Sequence, residues 1–214
     1  MNMMSQLPAM RLYWSSRSPF VRKAMIAAHE KGVASRIETI RVEVAVTKLN
    51  ADVMAHNPLN KIPTLVLENG EVLFDSRVIC EYFDSLTTGP RLFPSNPAER
   101  WVALRRDAIG SGIMENGVAR IGENARPSEL QSLPHLAAYK AKIEAALDYL
   151  EADASALTRD RFNIGHLAIG CALGYLDFRY ADDDWRRGHS KLAEWHKGFA
   201  ERDSVKQTAH ANVY

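Results

Sequence analysis

A change of hydrophobic pattern divides this chain of 214 residues into two parts. Before about residue 87, short β-rich runs alternate with helical segments, whereas beyond about residue 97 the apolar residues recur only at helical spacing. The stretch between them contains Gly89-Pro90 and Asn96-Pro97 and is rich in turn-forming residues. One sheet-centred core cannot serve both patterns. The sequence therefore predicts a small α/β domain at about 10–87 and an all-helical domain at about 97–205.

The first part has an order of elements that predicts parallel strands at its start. A short strand at Arg11–Trp14 precedes a helix at Pro19–Lys31, which Gly32 ends. An alternating strand follows at Ile37–Val46. Because a helix connects these two strands, they are expected to be parallel.

The clearest local signal is Asn69-Gly70 between two β-rich runs, Thr64–Glu68 and Glu71–Asp75. Both turn residues tolerate positive φ, so the pattern predicts an antiparallel hairpin with a type I′ turn. A helix follows, with Ser76 as its predicted N-cap. Its predicted buried stripe consists of Val78, Ile79, Tyr82, Phe83 and Leu86. The resulting mixed four-stranded sheet has the size and order of a thioredoxin-like domain.

The second part begins at a strong helix start, with Asn96 as N-cap, Pro97 at the first helical position and Glu99 in the first turn. Glycines in this helix mark a kink or a close approach by another element; they are Gly110, Gly112, Gly117 and Gly122.

Two later helices of this part differ in pattern. One carries Lys140 and Glu144 as an expected i,i+4 ion pair. The segment Ile164–Phe178 is apolar on every side and is the predicted central helix. Asn163 can cap it.

Charge and cysteine content exclude several classes of protein. The 27 Lys and Arg nearly balance the 26 Asp and Glu, without the basic excess typical of nucleic-acid binding. Cys80 and Cys171 lie in apolar segments and are predicted to be buried thiols. The first eight residues lack a signal-peptide pattern, and Ile164–Phe178 is shorter than the roughly 20 residues that span a bilayer. We expect a cytoplasmic protein with no nucleic-acid partner, no membrane partner and no metal site.

The turn between the first strand and the first helix is a candidate anion site. Ser18 is the predicted N-cap of that helix and Pro19 its first residue. A hydroxyl at a helix N-terminus lies where backbone N–H groups and the macrodipole favour negative charge. Such a hydroxyl can donate to a bound thiolate and lower the pKa of that thiol from about 8.5 toward neutrality.

Two further turns are expected at the same edge of the sheet. Pro63 either marks a strand boundary or follows a cis Ile62-Pro63 bond, which would leave the backbone of Ile62 open to a peptide-like ligand. Asp75 and Ser76 lie where a strand runs into a helix, and they suit an ammonium and a carboxylate respectively. Together the three turns fit a tripeptide with an internal cysteine.

These motifs are Ser18–Lys23, Asn57–Pro63, and Asp75-Ser76 with the helix that follows, and in this order they resemble the cytosolic glutathione S-transferases over nearly the whole chain. The Ser-Pro-Phe form is similar to the serine-type transferases of that family, not to those that use tyrosine or cysteine. In that family the central helix usually opens with a capping box that ends in Asp, whereas this chain has His166 there, so the resemblance predicts a weaker helix start. Ser18 and Val21 stand where redox relatives carry cysteine, which excludes dithiol exchange.

The resemblance implies that Ser18 is catalytic and holds the glutathione thiolate. It implies further that Ile62 pairs with the cysteinyl backbone and that Lys61 contacts the glycine carboxylate. Asp75 and Ser76 would bind the γ-glutamyl end. The predicted glutathione-binding residues are Phe20, Lys61, Ile62, Pro63, Asp75 and Ser76.

The expected reaction is attack of the bound thiolate on a small hydrophobic electrophile, with glutathione as cosubstrate and no other cofactor, in a detoxifying homodimer. The predicted electrophile pocket comprises Ser15, Ile109, Met114 and Arg120. Ser15 lies close enough to Ser18 that either hydroxyl can serve the thiolate. A ligand- or partner-binding protein without turnover and a glutathione-dependent peroxidase are the alternatives.

Overall fold

The computed structural model describes residues 9–212 and divides into two compact units. The predicted absence of a signal peptide rests on residues 1–8, which lie outside the described residues. The first unit runs to Ser95 and takes up the chain again from Asp203, and the second is Asn96–Arg202. The end of the chain thus packs with the α/β unit, whereas the predicted helical domain ran to residue 205.

The first unit is built on a mixed four-stranded sheet in the order β2-β1-β3-β4. Its strands are β1 (Met10–Trp14), β2 (Ile37–Arg41), β3 (Thr64–Leu67) and β4 (Val72–Leu73). Strand β1 is parallel to β2 and antiparallel to β3, which is antiparallel to β4. This is the thioredoxin-like arrangement that the order of elements predicts.

Strand β2 ends earlier than the alternating pattern predicts. The N–H of Val42 still donates to the carbonyl of Trp14, but the chain then leaves the sheet. Val42 and Val44 pack against the small apolar cluster that contains Val53, while Val46 is 83% exposed. The alternating pattern extends past Arg41 because Val42 and Val44 still face this cluster, although the segment no longer pairs with the sheet.

The hairpin exists, but its turn is not type I′. Gly70 has φ 87°, whereas Asn69 is not among the residues with positive φ. Leu67 lies opposite Glu71, and the N–H of Leu67 donates to the Glu71 carbonyl. The N–H of Gly70 donates to the Leu67 carbonyl. This is a three-residue loop with a left-handed glycine, and the Asn69 side chain accepts from the N–H of Glu71.

Three helices complete the α/β part of this unit: α1 (Pro19–Glu30), α2 (Ala51–Met54) and α3 (Ser76–Ser85). Gly32 follows α1 with φ 68°, as a helix-ending glycine should. The N-cap of α3 is Asp75, not Ser76, because the Asp75 carboxylate accepts from the N–H of Arg77 at 2.8 Å. On α3, Ile79 and Phe83 are buried as predicted, but Val78 is 45% exposed.

A buried ion pair joins α1 to α3. The Lys31 ammonium lies 3.0 Å from the Asp84 carboxylate, and both side chains are almost fully buried. Asp84 also accepts from the N–H groups of Leu92 and Phe93, while Lys31 donates to the carbonyl of Pro90. The pair thereby holds the start of the linker against the α/β unit.

The second unit consists of α4 (Pro97–Asn124), α5 (Leu133–Arg159), α6 (Ile164–Arg179) and α7 (Ser190–Ala200). Asn96 caps α4 with Pro97 at its first position, as predicted. Helix α6 is buried over most of its length and packs on α4, so it is the central helix that its apolar sequence predicts. None of the helices within residues 9–212 has the length and apolarity that crossing a bilayer takes.

Two of the glycines of α4, Gly110 and Gly117, allow close packing, and the helix continues through all of them. A Cβ atom at Gly110 would lie 2.5 Å from the backbone of Ala168 on α6. Lys140 pairs with Asp183 and not with Glu144, because a tertiary partner lies within reach of its ammonium. The two cysteines are buried thiols, as predicted, and they form no disulfide within the described residues.

His166 strengthens the start of α6, contrary to the expectation. Its Nδ1 accepts from the N–H of Asn163 at 3.3 Å, and its Nε2–H donates to the carbonyl of Leu157 at 3.0 Å. Asn163 in turn accepts from the N–H of Gly165. Burial lowers the pKa of His166, so the ring is neutral and supplies the acceptor that a capping box needs.

Candidate functional site

The strand register brings three chain turns to one edge of the sheet. Tyr13 near the end of β1 pairs with Thr64 at the start of β3, so the residue after β1 and the residue before β3 are neighbours. Leu73 at the end of β4 pairs with Leu65, which brings Asp75 to the same edge. The turns that carry Ser18, Ile62-Pro63 and Asp75-Ser76 are therefore adjacent, as the sequence predicts.

Ser18 is the N-cap of α1. Its Oγ accepts from the N–H of Val21 at 3.3 Å, and among residues 9–212 its hydroxyl hydrogen has no acceptor. No acidic residue lies in the first turn of α1, so nothing there neutralises the positive end of the helix dipole. The half-buried hydroxyl is thus a hydrogen-bond donor at a position that favours an anion.

Ser15 lies in the same turn but is placed differently. Its carbonyl accepts from the N–H of Ser18 at 3.2 Å, which closes a β-turn with Ser16 and Arg17 at the centre. Its Oγ accepts a long hydrogen bond of 3.4 Å from the N–H of Arg17. Ser18 has the helix N-terminus beneath it, whereas Ser15 acts within the turn.

An exposed acidic residue faces this turn. The Glu43 carboxylate pairs with Lys48 and, at 3.1 Å, with the guanidinium of Arg17. Both cations, Lys48 more than Arg17, hold the pKa of Glu43 below its usual range. Arg17 is thereby tied to the segment that follows β2.

The peptide bond between Ile62 and Pro63 is cis. In the part of the chain that the structure describes, the N–H and C=O of Ile62 make no hydrogen bond, so both are open to an extended ligand. The buried Asn57 supports this turn, because its side-chain N–H₂ donates to the Lys61 carbonyl at 3.1 Å and to the Thr64 hydroxyl at 2.9 Å. The sequence shows Asn57 as part of a motif, but only the fold shows that it braces the turn.

Asp75 and Ser76 lie at the N-terminus of α3. The peptide bond from Phe74 to Asp75 is also cis. The hydroxyl of the buried Ser76 donates to the carboxylate of Asp75 at 3.3 Å, while Asp75 itself is exposed. Among the described residues the N–H of Ser76 has no partner, so it can donate to a carboxylate of a ligand. The Asp75 carboxylate beside it suits a ligand's ammonium group.

The other predicted site residues occupy different surroundings. Phe20 is half-buried in the first turn of α1. In the helical unit Ile109 is half-buried and Met114 is fully buried. Arg120 pairs with Asp183 and lies 4.2 Å from the ring centre of Tyr180. Arg120 is the main cause that lowers the pKa of Asp183, so it is engaged within its own unit. A role for these residues in binding an electrophile stays a prediction.

The helical unit has two features that sequence reasoning missed. A groove of about 680 Å³ is lined by residues of α5, α6 and α7 and of the segments next to these helices. Trp195, Phe199 and Arg202 are among them, and none of the predicted pocket residues is. Glu144 and Asp148 approach the buried His189 closely enough for the three to share a cation. The sequence gives no spacing signal for this grouping, because it joins residues of α5 to the residue before α7.

Both units of this chain are similar to domains of a known protein family. Residues 17–86 match the model of the glutathione S-transferase N-terminal domain, and residues 134–198 match that of its C-terminal domain. The chain is 36% identical over 203 residues to the uncharacterized GST-like protein YibF of Escherichia coli K12, covering 93% of this chain and 98% of that protein.

Two solved structures agree with this likeness. A glutathione transferase family member from Pseudomonas fluorescens Pf-5, with bound glutathione, is 37% identical with a TM-score of 0.92, covering 95% of this chain and all of that one (100%). A glutathione S-transferase from Methylobacillus flagellatus, also with glutathione bound, is 34% identical with a TM-score of 0.85, covering 95% of this chain and 100% of that chain.

Proposed function

Because the chain belongs to the glutathione S-transferase family, we propose that it is a glutathione transferase of the serine type, in which Ser18 stabilises the glutathione thiolate. The observation that carries the proposal is the meeting of three ligand-binding turns at one sheet edge: a helix N-cap hydroxyl, an open backbone at Ile62 and the Asp75-Ser76 pair. The glutathione bound to the two solved structures supports the choice of ligand.

Glutathione fits these turns in one orientation. Its cysteinyl N–H and C=O would pair with the backbone of Ile62, as an added strand pairs with a sheet edge. Its γ-glutamyl carboxylate would accept from the N–H of Ser76, and its ammonium would face the Asp75 carboxylate. Lys61, which is exposed, would meet the glycine carboxylate. Phe20 and Pro63 would flank the cysteinyl sulfur.

The thiolate would be stabilised by two effects at the start of α1. The Ser18 hydroxyl donates to the sulfur while its Oγ still accepts from Val21, and the helix dipole adds its positive end. Together a charged hydrogen bond and a helix dipole lower a thiol pKa by roughly one to two units. The thiol proton passes to solvent, the thiolate forms a carbon–sulfur bond with the electrophile, and the leaving group departs with the electron pair.

Ser18→Ala is the variant that tests the role of Ser18, and Ser15→Ala is its matched control. Calorimetry would measure glutathione binding, ultraviolet absorbance would follow the bound thiolate across pH, and an activated aryl halide would report turnover. We expect Ser18→Ala to raise the pKa of bound glutathione by about one unit and to lower kcat/KM about tenfold or more at neutral pH. Ser15→Ala should change neither by more than about twofold, because its weak hydrogen bond lies within the turn.

Three results would contradict the proposal at different levels. Equal activity of Ser18→Ala and the unmodified protein would remove the role of Ser18. Glutathione binding without a thiolate at pH 7 would favour a binding protein without turnover. Absence of binding at millimolar glutathione would remove glutathione as the ligand. Peroxide reduction at the same site is to be assayed alongside, and the predicted homodimer is to be tested by sedimentation.

A further inference from the structure

The end of the chain lies on α1. We call residues 203–212 the C-terminal strap; it begins with α8 (Asp203–Lys206), which packs against α1. Ser204 and Val205 are buried there. The Ser204 hydroxyl donates to the Glu30 carboxylate at 2.5 Å, and the Arg22 guanidinium donates to the Val205 carbonyl at 3.4 Å. The strap is thus bonded near both ends of the helix that Ser18 caps.

Beyond α8 the strap reaches the turn before α1. The Nδ1–H of His210 donates to the Ser16 carbonyl at 3.0 Å, and the Ser16 hydroxyl donates to the Ala211 carbonyl at 2.9 Å. One residue of the turn is therefore held through both its backbone and its side chain. These two contacts join residues that are 194 and 195 positions apart in the chain.

Ser16 and Arg17 are the central residues of the β-turn that ends at Ser18. The strap holds Ser16, and Glu43 holds Arg17. With both central residues tied, the hydrogen bond from the Ser18 N–H to the Ser15 carbonyl fixes where the Ser18 hydroxyl stands. A hydrogen bond to a ligand weakens steeply when its donor is displaced or turned, so anchoring of this turn has a direct effect on the anion site.

We propose that the end of the C-terminal strap, at His210 and Ala211, is part of the thiol site, and that His210 is a positioning residue that acts on Ser18 through Ser16. This inference rests on the proposed function, because the role of the strap is to set the Ser18 hydroxyl for the glutathione thiolate. In this proposal the strap acts through its bonds to Ser16 in the turn. It determines how much of the bound thiol is ionised.

His210→Ala is the test variant, and two others make it interpretable. In His210→Asn the side-chain amide offers an N–H close to the position of the histidine Nδ1–H, so the bond to Ser16 can form again. Gln207→Ala changes an exposed residue of the same strap and is the matched control. The measurement is the pH dependence of kcat/KM in the full chain, together with the absorbance of the bound thiolate.

In His210→Ala we expect kcat/KM below the thiol pKa to fall about fivefold, the factor that one lost hydrogen bond of ordinary strength produces. The apparent pKa should rise, while kcat at high pH, where the thiol is ionised without help, should stay unchanged. His210→Asn should restore the profile, and Gln207→Ala should leave it unaltered. Faster hydrogen exchange at the Ser18 amide in His210→Ala would show the loosened turn directly.

The outcomes separate this inference from the proposed function. If the unmodified protein binds no glutathione, both the proposed function and this inference are overturned. If the unmodified protein ionises bound glutathione and His210→Ala does so at the same pKa, this inference alone is overturned. A lower melting temperature of His210→Ala with an unchanged pH profile also overturns it, because a merely structural strap would behave in that way.

Discussion

Replacing Gly110 with alanine tests how closely α4 and α6 pack. The added Cβ would lie 2.5 Å from the carbonyl carbon of Ala168 and 2.7 Å from the nitrogen of Ile169. These are backbone atoms in the middle of a helix, so no side chain can rotate to make room. The two helices would have to separate along their main line of contact, which loses apolar contacts on both sides of the glycine.

The magnitude follows from two opposing effects. Alanine gains about 1 kcal/mol over glycine in helix propensity, and overpacking a rigid interface costs about 1–3 kcal/mol and sometimes more. Because the clash is with backbone atoms of Ala168 and Ile169, we take the upper end of that cost and expect a net loss of about 2 kcal/mol in the free energy of unfolding. Gly112, on the same helix, has no atom within 4 Å of the corresponding Cβ. Its substitution by alanine should therefore raise stability by about 0.5–1 kcal/mol.

Urea unfolding of the full chain, followed by tryptophan fluorescence and by circular dichroism, measures both effects. The midpoints should move in opposite directions at an unchanged slope, since neither substitution alters the surface exposed on unfolding. If Gly110→Ala and Gly112→Ala differed by less than about 1 kcal/mol, the reasoning from close backbone contact would be refuted.

Two further predictions concern buried charge. Asp84→Asn should lower the free energy of unfolding by about 3 kcal/mol, because the Lys31 ammonium would stay buried without its counter-charge. Urea unfolding measures this loss, and a value below about 1 kcal/mol would contradict the prediction. Burial lowers the pKa of His166, so as the pH falls the unfolded chain takes up a proton at this residue before the folded chain does. The contribution of His166 to stability should therefore be full above about pH 6.5 and decrease below it. His166→Gln, which keeps a capping-box residue, should show a smaller fall between pH 7 and 5 in thermal melts, and an equal fall would exclude His166 as the cause.

Several elements could be predicted from the residues within them. Ser18 and Asn96 cap their helices and Gly32 takes the left-handed conformation, because each depends on a side chain and backbone groups within one turn of chain. The mixed sheet follows from the order of strands and connections. The meeting of the three turns of the proposed site follows in the same way, since antiparallel and parallel neighbours fix which strand ends share an edge.

Other predictions from the sequence were wrong. Asn69-Gly70 indicates a type I′ turn, but the register of β3 and β4 places Leu67 opposite Glu71 and leaves a three-residue loop. Asp75, not Ser76, caps α3, because two adjacent residues of similar capping preference are distinguished only by where the strand ends. Lys140 has a closer acidic partner than Glu144 once Asp183 has been brought beside it.

The sequence by itself determined the two-domain division, the helix starts and the three motifs of the proposed glutathione site, because these depend on patterns and preferences within a few residues. Only the tertiary structure decided which residues hold those motifs in place. The buried Lys31–Asp84 pair and the bonds from the C-terminal strap to Ser16 join segments far apart in the chain. Such contacts form only when the packing of the intervening elements has offset the loss of chain entropy, and no local pattern records them.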